Sequence, residues 1–124
     1  MAFIKKVMAD KRMFSRQVTE TDDFNALSKG AQSLWFHLCM EADDDGVVSN
    51  AFGTMARIGA TDAEMDELIQ TGYLLRALPK VFVIRHWKVC NAIPASRYHK
   101  SKAIDVKQFY DERDGVYEPK GMVF

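Results

Sequence analysis

The sequence predicts a mainly helical α+β domain carrying a small antiparallel hairpin. Three observations predict it. Ala31, Leu34, Trp35, Leu38 and Ala42 recur at helical spacing. Residues 50–72 then read as two short helices, each with its own start and stop signals. Two β-rich runs, 73–77 and 81–86, follow at once, joined by Leu78-Pro79-Lys80. Helix, turn, helix, hairpin is the order of a winged helix-turn-helix, here with an N-terminal arm and a C-terminal helix.

Each element has a local justification. Residues 1–20 form a basic arm with scattered apolar groups (Phe3, Ile4, Val7, Met8, Met13, Phe14, Val18). Such an arm is either disordered or pinned to a partner by those groups. Thr21-Asp22-Asp23 starts a short helix, with carboxylates at the positive end of its dipole and Phe24 and Leu27 as anchors. Ser28 caps the next helix, which runs to about Ala42. Phe36 and Met40 lie on a second face of it. That face is either central in the core, the preferred reading, or turned to a second subunit.

Asp43-Asp44-Asp45-Gly46 resembles a calcium loop only at its start. Phe52 stands where the closing bidentate Glu belongs, so a solvated turn is expected. Val47-Val48-Ser49 makes a short strand. Asn50 caps a helix with Phe52, Met55 and Ala56 on one face, stopped at Gly59. Thr61 opens the next with Glu64 three residues on, a capping box; Met65, Leu68 and Ile69 form its stripe, and Gly72 ends it. Beyond Trp87 the chain is irregular around Pro94. A last helix is expected over 101–112, with Ala103, Val106 and Tyr110 on one side, before an Asp114-Gly115 turn. The chain divides into an arm (1–20), a winged-helix domain (21–98) and a C-terminal helix and tail (99–124).

Composition bounds the function. An apolar share of 48%, with eight Phe and two Trp, supports a real core within a single domain. No run approaches the ~20 apolar residues of a membrane span. No signal peptide is visible at the start, and Cys39 and Cys90 match no metal spacing. A reduced, cytoplasmic protein with no membrane partner is expected. His37, His86 and His99 are scattered, no nucleophile motif or phosphate loop is present, and no catalytic residues, metal or cofactor are expected.

Net charge is zero but unevenly spread. Residues 1–16 hold five bases and one acid; residues 17–67 hold two bases and eleven acids. Residues 68–109 hold eight bases and one acid, and residues 110–124 two bases and four acids. The basic parts suit phosphate, and the acidic part repels it. The expected DNA-binding residues are Lys11, Arg12, Lys80, Arg85, Lys88, Arg97, Tyr98, Lys100 and Lys102, with Lys107 nearby. Trp87, Tyr98 and His99 are interleaved as planar groups. The competing reading is that these bases only solvate an outer face. The second helix of the pair carries Asp62, Glu64, Asp66 and Glu67 and no base, so it is not expected to read a groove. Phe14, Phe36 and Met40 are the expected oligomerisation residues.

Four blocks carry a family resemblance: Lys11-Arg12-Met13-Phe14-Ser15, Ala31-Gln32-Ser33-Leu34-Trp35-Phe36-His37-Leu38, Ala42-Asp43-Asp44-Asp45-Gly46 and Ile84-Arg85-His86-Trp87-Lys88. In this order they resemble the N-terminal domain of phage and prophage replisome organisers, which are similar to DnaD-type primosomal proteins. The resemblance spans about Lys11 to Tyr98. It implies a winged helix that self-associates, binds DNA and brings it to replication or helicase-loading partners. Two further function classes stand beside it: an assembly module without DNA contact, and a small transcriptional regulator.

Overall fold

The computed structural model describes residues 10–121. Twelve elements are formed among them: α1 (Arg16–Thr19), α2 (Asp22–Asn25), α3 (Lys29–Glu41), β1 (Val47–Val48), α4 (Ala51–Ile58), α5 (Asp62–Gln70), β2 (Leu74–Leu78), β3 (Val81–Ile84), α6 (Trp87–Cys90), α7 (Val106–Phe109), β4 (Tyr110–Arg113) and β5 (Val116–Pro119). The fold is mixed α/β with small antiparallel sheets. The arm groups Phe3, Ile4, Val7 and Met8 lie outside the described residues.

α3 is the central helix. Ser28 caps it by accepting from the Ala31 N–H, and Ala31, Leu34, Trp35 and Leu38 along it, with Ala42 just beyond, are fully buried. Burying each of the larger of these side chains stabilises the fold by roughly 1.5–3 kcal/mol. Glu67 of α5 accepts from both the backbone N–H and the hydroxyl of Ser28, tying the start of α3 to α5. Phe36 is half-buried, edge-on to Phe14, Phe24 and Trp35, whereas Met40 stays 43% exposed. The second face of α3 is therefore divided: one end is packed and the other is open.

α4 ends at Gly59 in the left-handed conformation (φ 72°), as its punctuation predicts. Two details differ. Asn50 makes no side-chain cap bond, and the buried face is Ala51, Thr54 and Met55, with Phe52 and Ala56 outside it. The Phe52 ring instead lies edge-on to Phe82 across the sheet, 5.9 Å between centroids. α5 carries the full capping box between Thr61 and Glu64. At its other end the Tyr73 N–H reaches Leu68 O and the Gly72 N–H reaches Ile69 O, a Schellman close that needs the positive φ of Gly72.

The first sheet has the order β1-β3-β2, all antiparallel. Val47 faces Val83 and Leu74 faces Ile84, so the buried Phe82, Val83 and Ile84 of β3 sit centrally. β2 and β3 are joined by Pro79-Lys80, with a bulge between Arg76 and Leu78. β3 stops at Ile84; Arg85 and His86 form a turn into α6.

The expected helix over 101–112 is not formed. α7 is a single turn, and residues 110–119 make a second hairpin. Arg113 faces Val116 across the two-residue loop Asp114-Gly115, whose φ values are 53° and 86°. Two consecutive positive φ values are the mark of a type I′ hairpin turn, a geometry no helix contains. The hairpin is held by Tyr117 N–H to Arg85 O and Val89 N–H to Gly115 O. Ile104, Val106, Tyr110 and Tyr117 join the same buried cluster as α3.

Candidate nucleic-acid interface

The acidic turn proves to be the joint of the molecule. Asp44 and Asp45 are 8% and 3% exposed, so the expected solvated turn is corrected: these carboxylates are buried acceptors. Asp44 takes the Arg12 guanidinium at 3.1 Å on one oxygen and the His99 N–H on the other. Asp45 takes the Tyr98 hydroxyl at 2.6 Å on one oxygen and the Ser101 N–H on the other. Their backbone carbonyls accept from Trp87 Nε1 and the Tyr117 hydroxyl. Asp43 accepts from the N–H groups of Asp45 and Val47 and closes the turn. Burial raises the Asp43 carboxyl, against the lowering effect of its hydrogen bonds. One short turn thus holds the arm, α6, the 98–101 segment and the C-terminal hairpin. A run of three acids before a glycine gave no local sign of this, because every partner is distant in sequence.

The arm is docked on its own domain over residues 12–14. Arg12 also donates to Ala42 O at 2.8 Å and lies over the Trp87 ring. The Met13 backbone exchanges two hydrogen bonds with the Asn91 side chain. Phe14 packs against Phe36 and Trp35 yet remains 40% exposed.

The expected DNA-binding residues fall into three groups. Arg12 and Arg85 are both engaged by internal partners, and of the Arg12 guanidinium only the Nε–H is left unpaired among the described residues. The Arg12 side chain is 3% exposed, and Arg85 pairs with Glu118 while its Nε donates to Tyr117 O. Lys88 and Lys100 are exposed but face carboxylates, Glu112 at 3.8 Å and Asp105 at 3.4 Å. Tyr98 keeps an exposed ring while its hydroxyl is held by Asp45; burial and the neighbouring Asp45 carboxylate both push that hydroxyl's pKa up. Lys11, Lys80, Arg97 and Lys102 are exposed and have no partner among the described residues, as is Lys107.

Two clefts gather these groups. One, about 480 Å³, lies between the arm and residues 91–99 and brings Lys11, Arg12, Arg97 and His99 together. The other, about 920 Å³, lies between residues 91–107 and the C-terminal hairpin, and includes Lys88, Tyr98, Lys100 and Lys107. Lys80 stands apart at the tip of the β2–β3 hairpin and Lys102 in the 101–105 loop, neither lining a cleft. Asn91, whose side chain anchors the arm, was not singled out by sequence pattern as a site residue, and His99, expected as a planar group, anchors the acidic turn through its backbone N–H.

No family model, curated protein or solved structure gives a significant match to this chain. Among the described residues no three His, Cys, Asp or Glu side chains converge to hold a metal ion, and no helix is long and apolar enough to cross a membrane.

Proposed function

We propose that this protein is a non-enzymatic winged-helix module that binds DNA through its phosphates, with little sequence preference. The observation carrying the proposal is the topology: α3, β1, α4, α5 and the β2–β3 hairpin, with sheet order β1-β3-β2. This is the connectivity of winged-helix domains, a common DNA-binding scaffold. Cations with no partner among the described residues stand at the hairpin tip (Lys80) and at Arg97, Lys102 and Lys107, off the acidic α5. Phosphate contact from such positions gives affinity without base readout. The four sequence blocks favour a replisome-organiser role, in which DNA is presented to replication or helicase-loading proteins in the cytoplasm.

The test is binding of the purified protein to a fluorescent duplex and a single strand over a salt series. Affinity should fall steeply with salt and drop further in a Lys80→Ala/Arg97→Ala/Lys102→Ala variant. Binding that ignores salt sinks the phosphate-anchor reading.

One observation favours self-association as well. Phe14 and Met40 are 40% and 43% exposed, and Phe14 lies edge-on to half-buried Phe36 on the same helix α3 as Met40. Aromatic and Met side chains left open are common in interface cores. A sedimentation series should show a concentration-dependent mass that Phe14→Ser/Met40→Ser lowers to the monomer; a monomer at every concentration removes this part.

A further inference from the structure

The smaller cleft has an unusual charge arrangement. Its floor contains the Arg12–Asp44 pair, which is neutral as a unit. Both Asp44 carboxylate oxygens are occupied, by Arg12 and by the His99 N–H, so this carboxylate has little left with which to attract a further cation. The rim carries Lys11 and Arg97, neither with a partner among the described residues, and the His99 side chain. The cleft therefore holds an uncompensated positive charge above a closed, neutral floor.

A second observation points to a ligand. Arg12 lines this cleft with a side chain only 3% exposed, and its Nε–H has no acceptor among the described residues. Its two terminal nitrogens are used, by Asp44 and by Ala42 O. A buried charged donor without an acceptor costs free energy, so an acceptor is expected there. The rest of the lining is mixed, with Met13, Ala92, Ile93 and Pro94 beside Asn91 and Ser96, and none of these groups is hydrogen-bonded to the Arg12 Nε–H.

We propose that this cleft is a phosphate-binding site, in which Lys11 and Arg97 hold a phosphate group against the Arg12 edge while the apolar part of the lining takes the attached sugar or base. Charged donors of this kind make strong hydrogen bonds to phosphate oxygens, and Arg does so with two nitrogens at once. The phosphate belongs either to a nucleic-acid strand or to a small molecule such as a mononucleotide. The strand assignment rests on the DNA-binding proposal; the site itself does not.

The experiment is amide and arginine Nε–H NMR of the full chain. The probes are inorganic phosphate, thymidine monophosphate and a short oligothymidylate, at constant ionic strength set with chloride. The side chains of Lys11 and Arg97 are exposed and make no hydrogen bond or ion pair among the described residues, so Lys11→Gln/Arg97→Gln should keep the dispersed spectrum of the parent. The expected result is a saturable shift of the Arg12 Nε–H and the Arg97 and His99 amides. Affinity should weaken about tenfold or more in the double variant and stay within about twofold in Lys29→Gln, an exposed base at the start of α3 that lines neither cleft. Saturation by the small probes without strand binding keeps the site and removes the DNA reading. Strand binding that shifts residues around Lys80 and Lys102 alone overturns the site and leaves the DNA reading standing. Shifts that do not saturate, or that weaken equally in Lys29→Gln, also overturn it.

Discussion

Arg12 and Asp44 form an ion pair at 3.1 Å with 3% and 6% of their side chains exposed, joining the arm to the turn before β1. Replacing one partner leaves a buried charge alone. Arg12→Met or Asp44→Asn should each destabilise the fold by about 3–5 kcal/mol. Pairing Arg12→Met with Asp44→Asn should recover part of that loss. Urea denaturation of the four proteins measures the coupling; strictly additive losses would show that the pair contributes nothing as a pair.

Gly46 and Gly59 both have positive φ, at 81° and 72°, but different surroundings. A Cβ on Gly46 would lie 2.5 Å from Trp87 Cγ, whereas a Cβ on Gly59 would meet nothing within 4 Å. Gly59→Ala should therefore cost only the left-handed strain, about 1–2 kcal/mol. Gly46→Ala adds a clash with a buried indole and should cost at least about 1–3 kcal/mol more. Thermal unfolding of the two variants gives the order directly, and equal losses would contradict this account.

Burial lowers the His86 pKa below its usual value near 6.5, with Arg85 adding to the effect. The unfolded chain therefore binds this proton at higher pH than the folded one. The neutral imidazole contributes stability that is fully present above pH about 6.5 and is lost as pH falls toward the lowered folded pKa. His86→Phe keeps a ring beside Tyr73, whose centroid lies 5.2 Å away. That variant should flatten the acid side of a stability-versus-pH curve below about pH 6.5; an unchanged slope would exclude His86 as a source.

The cations differ in how far they are already satisfied. Lys88 and Lys100 face Glu112 and Asp105, while Lys80, Arg97 and Lys102 face solvent. On the phosphate-anchor reading, removing one of the latter three should lower the salt slope of DNA binding by about one unit each. Lys88→Ala and Lys100→Ala should change it less. If all five variants lose the same slope, carboxylate pairing does not set which bases meet DNA.

Thr61 accepts from the Glu64 N–H while Glu64 accepts from the Thr61 N–H. Thr61→Ala should cost about 1 kcal/mol through the lost cap. Thr61→Ser should cost less, since the hydroxyl is kept. Hydrogen exchange at the first turn of α5 separates this local loosening from a global loss.

Local chemistry made much of the fold legible. The Ser28 and Thr61 caps, the Gly59 and Gly72 stops and the 3.6-residue stripe of α3 act within a few residues of themselves, so α3, α4, α5 and the β2–β3 hairpin follow from short-range physics. The C-terminal region did not yield to the same reasoning. Val106 and Tyr110 are four apart, which suits a helix face, yet Asp114-Gly115 takes two positive φ values and turns the chain into a hairpin. Tyr117 then binds Asp45 O, a contact across 72 residues. The acidic turn was misread for the same reason: burial of Asp44 and Asp45 depends on Arg12, Tyr98, His99 and Ser101, which no local window contains. Charge segregation and the list of bases were visible in the sequence alone. Which bases remain free was decided only by tertiary structure, because an ion pair depends on distance in space, and Arg12 and Arg85 find their carboxylates more than thirty residues away.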